Sequence, residues 1–240
     1  LHLVDDTGLI KRDSSIWERH LPGRRFSYTS GACERGLRAL ASLAEKIGKN
    51  KDAARYEAAA ADLRKAIQKH LVDEDGVVLG FAGEVDRDRT LDASAIELFN
   101  WDVLDVDRPE GFDAALATVK AFREKLAVPD SPGFKRTTQE GWYDEQEWVV
   151  IDLRVATALF RMAQSLEAAK RGMSKPLYDE ANALLGWAEK HIAANRNVIG
   201  ELIGNGNRLY EGAIPMVGYG PGALIMALKA KASATSRLPV

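Results

Sequence analysis

The chain has 240 residues, 46% of them hydrophobic and 28% charged, and a formal net charge of -2. Those proportions exclude disorder and suit one large domain or two small ones; with Lys+Arg 33 against Asp+Glu 35 there is no overall basic field to draw nucleic acid or an anionic membrane, and a neutral partner is favoured. The single cysteine, Cys33, excludes an intrachain disulfide and a cysteine zinc cluster and reads as a small buried residue. No run approaches the roughly 18 apolar residues of a membrane span. The start, Leu1-His2-Leu3-Val4-Asp5-Asp6, has neither the basic nor the apolar region of a signal peptide. It also lacks an initiator methionine, so a processed protein or a piece of a longer one is expected.

The first informative stretch is Ser14-Ser15-Ile16-Trp17-Glu18-Arg19-His20, followed by Pro22-Gly23-Arg24-Arg25-Phe26-Ser27-Tyr28-Thr29. It sets a carboxylate directly after an indole, in a loop before a helical segment. One reading is a tryptophan at a core edge beside a solvated acid. The other is chemical: a carboxyl against an aromatic face is partly desolvated, which favours its neutral, proton-donating form.

Leu37, Leu40, Ala44 and Ile47 predict a helix over Ala32–Ile47, stopped by Gly48. Tyr56, Ala60, Leu63, Ile67 and Leu71 form one stripe and predict an outer, amphipathic helix over Asp52–Leu71. Asp73 to Gly76 is a turn, and Val77 to Phe81 is a short strand or extended loop. A buried third helix is expected over Leu91–Leu104, capped by Thr90 or Asp92. After a break at Asp107-Arg108-Pro109, a one-sided fourth runs from Phe112 to about Val128.

A long polar segment opens at Pro129 and contains Lys135, Arg136, Trp142, Tyr143, Asp144, Glu145 and Glu147; loops of that length are seldom idle. Trp148–Ser165 is apolar nearly all round and predicts a deeply buried helix, stopped at Gly172, in which Asp152 and Arg154 need partners. Pro176–Ala194 is again amphipathic. A glycine-rich loop from Gly200 to Gly212 leads to Pro221, which suits a first helical turn before Ala223–Ala230, and Lys231–Val240 reads as a frayed tail.

Helices one, three, five and seven are thus apolar on several sides and follow long loops, whereas two, four and six are amphipathic and follow short links. Inner and outer helices alternating around a ring make an all-α fold, an α/α toroid, here an incomplete (α/α)6 barrel treated as one domain over 1–240. The alternative is a helical solenoid with uneven loops, for which no strict repeat is visible. A ring gathers the long loops, with their acids and aromatics, at one mouth.

At this point the chain resembles glycoside hydrolase family 15, the glucoamylase, glucodextranase and bacterial trehalase group. Ser15-Ile16-Trp17-Glu18 with Arg24 to Thr29 resembles the family's general-acid loop. Leu91-Asp92-Ala93-Ser94-Ala95 resembles an inner-helix start, Glu147 to Ile151 the tryptophan-led inner helix near the sugar, and Tyr210 to Pro215 the base-bearing loop. The resemblance implies an inverting α-glucoside hydrolase in which Glu18 donates a proton and Glu211 activates water, with Glu201 as the substitute base. Inversion needs carboxyls roughly 6.5 to 9.5 Å apart.

It further implies sugar contacts from Trp17, Arg24, Arg25, Tyr28, Trp142, Glu147, Trp148 and Tyr210. Arg19 stands where many members carry a second acid, and the family's early tryptophan, arginine and aspartate motif has no counterpart. The chain therefore resembles the C-terminal portion of the catalytic domain, its ring completed by a missing N-terminal segment or a second chain. A small carbohydrate is the expected partner, with no nucleic acid, membrane, cofactor or metal, and the family leans to a secreted or periplasmic location.

Two other functions remain at this level: a non-catalytic carbohydrate-binding or regulatory toroid, and an interaction scaffold. Gly200 to Gly206 lacks the strand and lysine of a phosphate loop. His2, His20, His70 and His191 have no metal-ligand spacing, and Asp86 with Asp88 is open between a calcium site and a solvated turn.

Overall fold

Arg25–Phe26 (β1) pairs antiparallel with Phe81–Ala82 (β2), and this clamp starts the first helix, α1 (Ser27–Lys46), five residues before the expected Ala32. Ser27 N donates to the Gly80 carbonyl at 3.0 Å and Ser27 Oγ to that of Leu79, so the partner strand, not a side-chain cap, satisfies the helix start. Gly48 then takes a left-handed φ of 74° and ends the turn, as its sequence position predicts. This computed structural model describes residues 3–18, 23–83, 90–139, 141–204, 208–209, 215 and 218–237. The expected site residues Tyr210 and Glu211, together with Arg19, Asp86 and Asp88, lie outside the described residues.

α2 (Asn50–Leu71) packs along α1 as a helical hairpin. The fully buried Glu34 of α1 accepts from Arg38 Nε at 2.9 Å and from Arg64 Nη2 at 2.5 Å, which ties the two helices together. The third expected helix is much shorter than Leu91–Leu104. A 3₁₀ turn over Ala93–Ile96, capped by Asp92, runs into α3 (Glu97–Asn100). It stops because Asp102 adopts a left-handed φ of 57° and is held there by an ion pair with Arg161.

Pro109, expected to break the chain, instead opens α4 (Pro109–Lys125) from its first turn, where a missing N–H costs nothing. Glu147–Trp148 (β3) is a strand and α5 (Val149–Ala163) begins only at Val149. Ser165 caps a separate short helix, α6 (Leu166–Lys170), so Gly172 ends that piece rather than α5. α7 (Ser174–Ala194) follows. The glycine-rich stretch contains β4 (Leu202–Gly204) and β5 (Arg208–Leu209), in a three-stranded antiparallel sheet of order β3-β4-β5 with Trp148 opposite Leu202. α8 (Tyr219–Thr235) has Pro221 in its first turn and extends through the expected tail to Thr235.

Every residue of α5 except Arg161 is buried, and it packs on α7 and α8 on one side and on α3 and α4 on the other. α1 contacts α3, so α1, α3, α5 and α8 follow one another as an inner arc with α2, α4 and α7 outside. This is the alternation of one arc of an α/α ring. Its two ends are apolar and open: Leu40 and Leu43 on α1 with Ile47 just after it, and Ile225, Met226 and Leu228 on α8, are exposed.

Removing Glu34 leaves two guanidinium groups facing each other at the α1–α2 seam. Because both arginines reach solvent, Glu34→Ala is expected to cost about 2–3 kcal/mol, below the roughly 3–5 kcal/mol of breaking a fully buried pair, as measured by urea unfolding. A cost near zero would show that the pair contributes nothing to the hairpin.

Candidate active site

The loop Asp13–Glu18 is folded tightly on itself. Asp13 Oδ1 accepts from Ser15 N at 2.8 Å, Ser15 O accepts from Glu18 N at 3.3 Å, and both Ser15 and Glu18 are left-handed, with φ of 54° and 53°. Such backbone costs on the order of 1 kcal/mol or more per residue and persists where the surroundings dictate it. Here the dictating contact is Trp17, whose Nε1 donates to Asp92 Oδ1 at 2.8 Å. The same oxygen caps Ser94 N at 2.9 Å. Trp17 is anchored to the start of the inner turn, and Glu18 is left exposed, without the burial expected beside the indole.

Trp148 lies beneath Trp17, their rings edge to face at 5.0 Å. Its backbone is held on two sides: Trp148 N donates to Phe134 O at 2.9 Å, and the residue pairs with Leu202. That pairing brings Glu201 to the same spot, and the Tyr143 hydroxyl donates to Glu201 Oε2. Arg136 spans the aromatic group, with its guanidinium 4.5 Å from the Trp148 centroid, 4.8 Å from Tyr143 and 5.3 Å from Trp17. Its Nε donates to the buried Asp144 at 2.6 Å, which supplies the countercharge.

The result is a hollow of about 400 Å³ lined by Ile16, Trp17, Glu18, Arg136 and Tyr143, and by Trp148, Val150, Glu201 and Tyr219. Two carboxylates, a fixed guanidinium and four aromatic rings suit a polar ligand with flat C–H faces. The thiol of the nearby Cys33 is pushed up by burial and then by Asp13, away from nucleophilic chemistry.

Of the residues expected from sequence, Trp17, Glu18 and Trp148 meet at this hollow. Arg24 lies over the Phe81 ring at 4.1 Å, and Arg25 is drawn to Asp5 by the β1–β2 clamp. Tyr28 sits edge-on to Trp101 at 5.1 Å and lines an adjoining depression with Cys33 and Tyr219, its hydroxyl pKa raised by burial. Trp142 is 53% exposed beside Tyr143. Glu147, one residue before the platform, points away: it is 1% exposed and accepts from Trp187 Nε1 at 2.7 Å and Ser131 Oγ at 2.5 Å. None of these five lines the hollow.

Arg136, Tyr143 and Tyr219 were not singled out from sequence. Arg136 and Tyr143 belong to the long polar segment already marked as functional, whereas nothing local distinguished Tyr219.

An inner arc of α-helices with acids and aromatics gathered at its mouth defines an α/α toroid fold. The sequence model of glycosyl hydrolases family 15 matches residues 10–191, and the chain belongs to that family. No match to a curated protein was found. Among solved structures, the chain is similar to a bacterial glucoamylase complexed with acarbose, with TM-score 0.69 and 17% identity, covering 88% of this chain and 34% of that one. It is similar to the glucoamylase of Saccharomycopsis fibuligera, with TM-score 0.70, 12% identity and coverage of 93% and 58%. A third is the family 15 glucoamylase of Hypocrea jecorina, at 0.65, 14%, 97% and 45%. These likenesses show the toroid fold, of whose chains this one spans between 34% and 58%.

Asp92→Ala removes the cap of the inner turn and frees the Trp17 indole together. A stability loss of about 1–3 kcal/mol is expected, with a red shift in tryptophan emission as Trp17 gains water. An unchanged spectrum would contradict the anchoring of Trp17 by Asp92.

Proposed function

We propose that the chain carries the catalytic cleft of an inverting α-glucoside hydrolase acting on a glucosyl-containing oligo- or polysaccharide. The observation that supports this most is that Glu18 and Glu201, far apart in sequence, line one sugar-sized hollow beside Trp148 and Arg136. Glu18, on the exposed lip, is the general acid that protonates the leaving glycosidic oxygen. Glu201, oriented by the Tyr143 hydroxyl, is the base that takes a proton from water on the opposite face of the sugar. In this reading Glu201 takes the role of base, and Glu211 lies outside the described residues.

Trp148 and Trp17 supply flat surfaces for the ring, and Arg136, neutralised on one edge by Asp144, presents its remaining N–H groups to hydroxyls. Attack, C–O cleavage and both proton transfers then occur in one displacement, without a covalent intermediate.

Helices of the same family domain, outside these 240 residues, would cover the open apolar ends on α1 and α8. Glucoamylase structures of which this chain covers 34% to 58% support that placement. The 240-residue chain alone should therefore bind a dye specific for exposed apolar surface, and Leu43→Lys with Met226→Lys should remove most of that signal. A signal indifferent to both changes would rule out these faces.

For the chemistry, Glu18→Gln and Glu201→Gln should each lower turnover of maltose-type substrates by about 10²–10⁴-fold, with far-ultraviolet circular dichroism unchanged. Parent-like turnover in Glu18→Gln would overturn the acid assignment. Loss of turnover in Glu211→Gln with activity kept in Glu201→Gln would return the base to Glu211.

A further inference from the structure

Behind the Trp148 platform lies a pair of acids that the hydrolytic reading does not use. Asp152, in the first turn of α5, is wholly buried. Its Oδ1 accepts from Phe134 N at 2.9 Å, while its Oδ2 is buried and meets no N–H or O–H donor among the described residues. The group it faces is the Glu147 carboxyl, whose two oxygens already accept from Trp187 and Ser131. Gly133 packs so closely on Glu147 that a Cβ there would collide with the carboxylate.

Among the described residues no free cation balances two negative charges at this place. The Arg123 guanidinium of α4 stands over Phe134 at 4.3 Å, but it is committed to Glu180 of α7 at 2.7 Å and to the Pro132 carbonyl at 2.6 Å. The His191 ring of α7 lies tilted 4.5 Å from that of Trp187, with its Nε2 buried and without a partner among the described residues; burial, reinforced by the neighbouring Lys190, pulls its pKa down, against the charge of Glu147. Two neighbouring carboxylates buried in a site closed to water cannot both stay charged. Burial first, and Glu147 second, push Asp152 well above the ordinary carboxylate range.

We propose that Asp152 keeps its proton and donates it to Glu147, and that this acid pair is the positioning element that fixes Trp148 in the cavity wall. The path is short. Asp152 Oδ1 holds Phe134 N, and Phe134 O holds Trp148 N, while Glu147 pins the residue before Trp148 to Ser131 and to α7. Glu147 and Asp152 are therefore positioning residues that touch no substrate. Only the consequence for sugar rests on the hydrolase reading; the acid pair itself does not.

The sign of the pH effect follows from the raised pKa. Below about pH 4 both folded and unfolded Asp152 are protonated and the contribution of Asp152 is fully present; as pH rises, the unfolded state releases the proton first and that contribution falls until the folded group also ionises. Asp152→Asn keeps an acceptor for Phe134 N and an N–H donor for Glu147 without this titration. Its melting temperature should therefore gain on that of the parent steadily from pH 4 to pH 8.

The parent at pH 7 should also show a protonated-carboxyl band in infrared difference spectra against Asp152→Asn. That band should persist but shift in frequency in Glu147→Gln, where burial still keeps the proton on Asp152 while its acceptor changes from a carboxylate to an amide. The near-ultraviolet dichroism of the Trp17–Trp148 ring pair, identified by its loss in Trp17→Phe, should survive in Asp152→Asn and be lost in Asp152→Ala. Absence of the carboxyl band, or parallel melting curves, overturns the shared proton; unchanged dichroism in a folded Asp152→Ala overturns the positioning role. In a sugar titration, Asp152→Ala should weaken binding about tenfold while Asp152→Asn stays near the parent. A parent that binds no sugar counts against the hydrolase reading alone, because the other measurements need none.

Discussion

Trp148 is the last residue of a strand and the residue before a buried helix, and it can hold that place only because its backbone is engaged from two directions. Phe134 takes its N–H, and Leu202 pairs with it across the sheet. Segments distant in sequence are thereby brought within one side chain's reach of the first turn of α5. Arg136 follows Phe134 by two residues and Glu201 precedes Leu202 by one, so the same two pairings that fix the indole also deliver a guanidinium and a carboxylate to it. The Trp17–Asp92 hydrogen bond adds the fourth segment. Shift any of these registers by one residue and the side chains turn to the opposite face.

The arrangement is costly, and the costs collect near the cavity. Ser15 and Glu18 are left-handed, Arg136 and Asp144 are buried as an ion pair, and Arg154 is held at 3.0 Å by Glu97, whose carboxyl is pushed up by burial against the pull of Arg154. Arg154 Nη1 and Asn100 Oδ1 keep no partner among the described residues beside a hollow of about 270 Å³ walled by α8. What offsets these terms is the apolar packing of α5 against its neighbours, where Ile151, Leu153, Val155, Leu159 and Phe160 are wholly excluded from water. A rigid inner helix with strained loops at its start is the division of labour expected of a preorganised site.

The helices legible in the sequence were those whose periodicity decides them: α2, α4, α5 and α7 follow their apolar patterns, and Pro221 sits in the first turn of α8 as its chemistry requires. The errors have tertiary causes. α1 starts early because Gly80 and Leu79 satisfy Ser27, and the third helix is cut short by the Asp102–Arg161 pair, both partners being far away in the chain. In the site, Trp17, Glu18 and Trp148 stood out through local motifs. Arg136, Tyr143 and Tyr219 did not, since strand pairings and α8 bring them in; Glu201, named from sequence only as the substitute for Glu211, is brought beside Trp148 by the β3–β4 register, whereas Glu211 lies outside the described residues. Glu147 misled because adjacent strand residues face opposite ways, so the neighbour of a platform residue points into the core.

A crystal structure of the chain soaked with acarbose tests the central claim most directly. The account predicts inhibitor rings against Trp148 in contact with Arg136, with the carboxyl groups of Glu18 and Glu201 on opposite sides of one ring and room for a water beside Glu201. Inhibitor bound elsewhere, or both carboxyl groups on the same side of it, would contradict a two-carboxylate cleft at this place in the ring.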